Sequence, residues 1–192
     1  MSIRHLVFVL CLVFTMVFAN SLQVDTQNSS VKWTGYKVVG QHSGTMAFKE
    51  GKLDVKGSKI TGGYFVVDMN SLLDQDLTGD SKLQNMLQGH LKSADFFNVE
   101  KFPTATFRVT SFVKKSDTEV VLAGEMTIIG VTNRIEVPVK GIKTKTGYEG
   151  QAKITIDRTK YGLKYGSGKF FSNLGDKVIK DDFDLELKVV LK

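Results

Sequence analysis

The side chains of this sequence that could carry chemistry are a run of aspartates, two histidines, one serine between glycines, and one arginine among tyrosines. Asp68, Asp74, Asp76 and Asp80 follow one another closely, and such a group could hold a hard cation. Their spacing lacks the glycine and the terminal glutamate of an EF-hand calcium loop, so the group reads as a solvated loop. Beyond residue 5 the only histidines are His42 and His90. A zinc site wants three or four ligands, and no cysteine follows Cys11, so no metal is expected. A single axial histidine could hold haem, but nothing selects it. In "YGSGKF", Tyr165 stands where a Gly-x-Ser-x-Gly elbow around Ser167 needs its first glycine. No Ser-His-Asp arrangement can be assembled, and "GSG" lacks the context of a dinucleotide loop. The chain therefore reads as a non-enzyme with no catalytic residue and no cofactor. Arg158, in "DRTKYGLKYG" beside Tyr161 and Tyr165, is the more interesting group. It could clamp a phosphate or a quinone carbonyl, or it could form a structural ion pair with Asp157 or another carboxylate.

The elements that must position these groups are mostly strands. "SVKWTGYK" alternates Val31 and Trp33 against Lys32 and Thr34, and "TATFRVTSF" alternates Ala105, Phe107 and Val109 against Thr106, Arg108 and Thr110. "RIEVPVKGI", "QAKITI" and "DFDLELKVVLK" repeat the pattern. Alternation of period two means one buried and one wet face. Many such strands, with turn signals at Glu50-Gly51, Gly130-Val131-Thr132 and Thr146-Gly147, predict an all-β fold, an antiparallel sandwich or barrel. Pro138 predicts an edge, a bulge or a strand end. One segment differs. "SKLQNMLQGHLKS" places Leu83, Met86, Leu87, His90 and Leu91 at helical spacing. Ser81 and Gln84 match a capping box, and Asp80 adds negative charge at the helix start. The apolar face runs on into Phe96 and Phe97, which predicts a helix docked on the sheet by an aromatic clasp.

Arg4 and His5 precede an apolar run from Leu6 to Ala19, the pattern of a signal peptide. Cleavage is expected near Ala19, leaving residues 20–192 as one domain in the periplasm or outside the cell. Loss of Cys11 would leave no disulfide. The net charge of +6 comes from lysines scattered along the chain with no basic block, so nucleic acid is not an expected partner.

Four stretches resemble the YceI-like family of exported lipid-binding proteins: "LKSADFFNVEKFPTATF", "GEMTIIGVTNRIEVPV", "ITIDRTKYGLKYG" and "LGDKVIKDDFDLELKVVL". They occur in the family's order and cover about Leu22 to Leu191. "YGSGKFFSNLGDKVIKDD" is longer and more aromatic than the family's plainest pattern. The resemblance implies a lipocalin-like antiparallel β-barrel of about eight strands with one amphipathic helix. It also implies an apolar lumen holding a polyprenyl phosphate, an isoprenoid quinone or a related long-chain amphiphile, with transient membrane contact and a monomeric or homodimeric state. On this reading Trp33, Phe48, Phe65, Phe107, Met126 and Ile156 line the lumen or form a solid core. Leu83, Met86 and Leu87 would contribute from the helix, and Tyr161 and Tyr165 would stand near Arg158, the head-group anchor. Two other readings stay open: an interaction module with a filled barrel, and an accessory factor in quinone or isoprenoid metabolism.

Overall fold

The structure, a computed structural model, describes residues 19–192 apart from 57, 58 and 146. All but the last residue of the expected signal segment lies outside the described residues. The described residues form nine antiparallel strands, of which β1 is not among the predicted ones: β1 (Ala19–Gln23), β2 (Ser30–Lys37), β3 (Gln41–Lys56), β4 (Lys59–Asp74), β5 (Thr104–Lys114), β6 (Glu119–Ile128), β7 (Val131–Lys143), β8 (Tyr148–Asp157) and β9 (Ile179–Leu191). Each strand from β2 onward pairs with its sequence neighbour, and β9 returns to β2, so the sheet closes on itself. Closure leaves no long unpaired edge. β1 and β2 share one stave of the barrel. β2 pairs with residues 41–46 of β3 and β1 with residues 52–56, which makes an eight-stranded barrel from nine strands.

β3 and β4 are 16 residues each, long enough to need curvature. Their ladder slips register between Thr45 and Ala47, between Phe48 and Glu50, and between Asp54 and Val55. Such bulges add local twist and bend the strands around the ring. Gly44 marks a close approach. A Cβ there would stand 1.9 Å from the Leu73 carbonyl oxygen and 2.8 Å from Cζ2 of Trp33. Pro138 pairs with Val121 of β6, and the β7–β8 ladder begins only at Val139. The imide nitrogen therefore sits where pairing to β8 stops, as a residue without an N–H requires.

The helix α1 spans Ser81–Lys92, but its cap differs from the expected box. Asp80 is the N-cap, and its Oδ1 accepts from the backbone N–H of Lys82 at 3.1 Å and of Leu83 at 3.0 Å. A carboxylate there meets two free N–H groups and the positive end of the helix dipole. Gln84 instead donates from Nε2 to the Asp74 carbonyl at 2.7 Å. That bond helps set the rotation of the helix. Gln84, Leu87, Gln88 and Leu91 turn inward and are partly buried, whereas Leu83 and Met86 remain 49% and 62% exposed. The expectation that Leu83 and Met86 face the barrel is thus corrected, and no residue of α1 is fully buried.

The aromatic clasp is present and wider than expected. Phe96 lies edge-on to Phe97, with centroids 5.2 Å apart, and to His90 at 6.0 Å. His90 packs on Tyr165 at 4.6 Å. The clasp therefore joins the helix to the segment after β8 and closes that end of the barrel, where Phe96, Val99, Tyr161 and Leu163 are buried.

Candidate functional site: an apolar barrel lumen

Inward alternation from eight staves meets in the barrel interior, and there the side chains do not fill the space. A cavity of about 420 Å³ runs inside the barrel. Its volume falls in the ordinary range of small-molecule pockets. Phe48, Phe65, Phe107, Phe112 and Met126 line it, together with aliphatic residues of β3 to β9. Phe65, Phe112, Val120, Leu187 and Val189 lie on this wall yet stay only partly buried. In a packed core, such residues would be enclosed by neighbours at close-packed density.

The two ends are unlike. At the helix end the wall reaches Met69, Phe97 and Ile128, and the buried clasp lies beyond. At the other end the lining passes through Ile142 and Tyr148 to Lys114 and Lys143, which end β5 and β7, and to Ser116, Asp117 and Thr118 of the β5–β6 connection. These five residues are exposed, so the bore opens to water there through a polar rim. Lys114 Nζ holds Asp117 at 2.7 Å across that connection.

Of the residues selected from sequence, Phe48, Phe65, Phe107 and Met126 meet at the cavity wall. Trp33 and Ile156 are buried core that does not border it. Leu87 is partly buried under the helix, and Leu83 and Met86 face solvent. Tyr161 is buried at the closed end, its hydroxyl without a partner, and burial pushes its phenol up. Tyr165 is exposed on the clasp. Sequence reasoning missed Phe112, Val120, Leu187, Val189 and the rim residues, although the alternation that reveals Phe107 and Leu185 also marks these strands.

Arg158 does not stand at the mouth. It is 2% exposed and lies at the closed end. Its Nε donates to the Lys180 carbonyl at 3.0 Å, Nη1 to Leu163 at 2.8 Å and Tyr165 at 2.9 Å, and Nη2 to Ile179 at 3.0 Å. Asp181 Oδ1 lies 3.7 Å from Nη2 and the Phe96 ring is 5.7 Å from the guanidinium carbon. Four of five N–H donors serve backbone carbonyls. This geometry corrects the head-group anchor assignment: Arg158 ties β9 to the segment after β8, with Asp181 rather than Asp157 as the nearby carboxylate. Desolvation pulls the guanidinium down from its usual range, against the pull of Asp181 and Asp157. Asp157 serves the backbone instead. Its Oδ1 accepts from the Thr159 N–H at 2.9 Å and caps the short 3₁₀ turn over Arg158–Tyr161.

The aspartate run is not one solvated loop either. Asp68 and Asp74 belong to β4, Asp80 caps α1, and Asp74 is fully buried beside Asp76 and His42. Burial pushes the Asp74 carboxyl up, with adjacent Asp76 adding to the shift. Burial would do the same to Asp76, but hydrogen bonds from Ser43 and His42 outweigh it and hold that carboxyl low.

A family model described as YceI-like domain matches residues 22–191. The chain belongs to the YceI-like family. Among curated relatives of this family, Protein YceI of Escherichia coli O157:H7 is 39% identical over 75 residues, 35% of this chain and 39% of that protein. Protein YceI of Salmonella arizonae is 41% identical over 76 residues, with the same two shares. The match thus spans about two fifths of the length of these relatives. Solved structures share this barrel. BcnA of Burkholderia cenocepacia superposes with a TM-score of 0.69 at 18% identity, covering 88% of this chain and 99% of that one. A polyisoprenoid binding domain from Saccharophagus degradans superposes with a TM-score of 0.59 at 13% identity, covering 89% and 97%. At these identities the likeness establishes the shared lipocalin-like barrel.

Proposed function

We propose that the protein is an exported carrier that holds a long-chain isoprenoid or related amphiphile, of the polyprenyl phosphate or isoprenoid quinone type, inside its barrel. The observation that carries this reading is the apolar cavity of about 420 Å³ with one polar mouth. A prenyl tail has no hydrogen-bonding group, so its site needs apolar walls and a polar exit for the head. Phe48, Phe65, Phe107 and Phe112 supply much of the wall, and Met126 adapts to an irregular chain. Lys114, Lys143 and Tyr148 at the rim are suited to a phosphate or carbonyl oxygen. Binding rests on moving apolar ligand surface out of water, at roughly 25 cal/mol for each Å², and no bond is made or broken. The description of the Saccharophagus degradans neighbour as a polyisoprenoid binding domain supports the ligand class. The hollow interior favours this reading over a filled-barrel interaction module.

The test is solvent extraction of protein purified from its native host, followed by mass spectrometry of the lipid fraction. A prenyl lipid at a stoichiometry near one per chain is the expected result. Repeated native preparations that yield no lipid would overturn the carrier reading, and a lipid without isoprene units would overturn the ligand class.

A further inference from the structure

Outside the lumen, three side chains converge where β3, β4 and the approach to α1 meet. His42 lies at the start of β3, Asp74 ends β4, and Asp76 follows it. The register places Gly44 opposite Asp74, and Gln75 donates its N–H to the Ser43 carbonyl at 2.9 Å. This pairing brings distant sequence together: one donor atom from each of His42, Asp74 and Asp76 lies within 4.8 Å of the other two. His42 Nδ1 is 2.8 Å from Asp76 Oδ2. The outer oxygens are held by backbone donors, Asp76 Oδ1 by the Ser43 N–H at 2.6 Å and Asp74 Oδ1 by the Leu77 N–H at 2.8 Å.

A second observation points to a missing positive group. Asp74 is 0% exposed, and its Oδ2 has no hydrogen-bond partner. Leaving a buried acceptor unpaired costs roughly 1–3 kcal/mol, and more for a charged group. Placing a second carboxylate beside it adds repulsion. The His42 ring nitrogen Nδ1 contacts Asp76 and makes no hydrogen bond to the Asp74 carboxylate.

We propose that His42, Asp74 and Asp76 form a binding site for a divalent transition-metal cation of the zinc class, separate from the lumen. One imidazole nitrogen and two carboxylate oxygens suit a borderline ion better than magnesium or calcium, which favour all-oxygen sets. Three protein ligands leave a fourth position for water, as in open zinc sites. Ligands at bonds of about 2.0 Å stand roughly 3.3 Å apart around a tetrahedral ion. His42 and Asp76 need part by only a fraction of an ångström, and both side chains retain solvent contact, at 25% and 32%. That contact is also the way in for the ion. The Ser43 and Leu77 N–H groups orient the carboxylates from behind, the usual part of the outer shell.

Trp33 provides a reporter. It is the only tryptophan in the chain. Trp33 and Asp74 flank Gly44 from its two neighbouring strands, with the indole packed over that glycine. Metal-stripped protein is titrated with Zn²⁺ by calorimetry, and with Co²⁺ by visible absorbance and Trp33 fluorescence. One ion per chain is expected, with a Co²⁺ band and a change in Trp33 emission, while Mg²⁺ at the same concentration produces neither. His42→Ala and Asp76→Asn should each weaken Zn²⁺ binding at least tenfold, and His90→Ala should leave it unchanged. His42 and Asp76 are partly exposed, so these variants keep the test valid even where Asp74→Asn does not fold, and circular dichroism confirms their fold. Absence of a one-to-one isotherm, binding that survives His42→Ala, or equal occupancy by Mg²⁺ would overturn the proposal. The first result would leave a proton shared between Asp74 and Asp76 as the compensating charge.

Discussion

Arg158→Ala removes the group that holds four carbonyls at the closed end of the barrel. A hydrogen bond from a charged donor contributes roughly 1.5–3 kcal/mol, so four give an upper bound of about 6–12 kcal/mol. Water recovers part of that, because Tyr165 and Lys180 are exposed residues whose carbonyls can be rehydrated. Leu163 is buried and Ile179 partly so. Two carbonyls left dry at about 1–3 kcal/mol each predict a loss near 4 kcal/mol. With a urea slope of about 2 kcal/mol per molar for a domain of this size, the midpoint should fall by roughly 2 M. Equilibrium urea unfolding followed by Trp33 emission measures it. Arg158→Lys keeps the charge but lacks the planar fork, so it should recover only a minor part of the loss. A midpoint within about 0.5 M of the parent would refute the structural role assigned to this buried fork. Loss of bound lipid at unchanged stability would restore Arg158 as a ligand anchor.

Ala152→Trp places a large side chain on the cavity wall. In a packed interior, overfilling costs about 1–3 kcal/mol. In a hollow one the unfolding midpoint should hold or rise while extractable lipid disappears, and paired urea and lipid measurements separate the cases. Asp80→Ala should cost about 1 kcal/mol through loss of the helix cap, and Ser81→Ala a few tenths at most; thermal unfolding of the two variants ranks the caps. Acid stability should depend on the cluster beside Arg158. Burial would raise Asp157 and Asp181, but hydrogen bonds from Thr159 to Asp157, and from Ser167 and Lys169 to Asp181, outweigh it and hold both carboxyls below their usual range. A depressed carboxylate stabilises the fold above its unfolded value of about 3.9, and that contribution is lost as pH falls through the lower folded value. Lys169 reaches Asp181 at 3.0 Å and Asp157 at 3.4 Å. Lys169→Ala should therefore begin acid unfolding at higher pH than the parent, as followed by circular dichroism between pH 5 and pH 2.

The strands were legible because burial on one face imposes a period that survives in any single segment, as Val31–Trp33 and Phe183–Leu185–Leu187 illustrate. The closed ring and the β1–β2 stave were less so, since pairing partners lie far apart in sequence. Hollowness could not be read at all: Phe48 and Ile156 carry the same pattern, yet one borders the cavity and the other is solid core. The helix was found at its right place, but its rotation was set by the bond from Gln84 to the Asp74 carbonyl, a contact no periodicity encodes. Arg158 and the His42–Asp74–Asp76 group failed for the same reason. The partners of the three-residue group, and the Ile179 and Lys180 carbonyls at Arg158, come close through β3–β4 and β8–β9 pairing, while the Leu163 and Tyr165 carbonyls come from the turn after β8.

A bore sealed at the clasp and open at the rim behaves as a depth gauge. A guest of the proposed kind would enter tail first and leave by backing out through the same aperture. Tails that bottom out early leave the head short of the rim, and overlong ones push it into solvent. For the proposed ligand, chain length would thus become a selection criterion, and a donor or acceptor would have to meet the barrel at that one end.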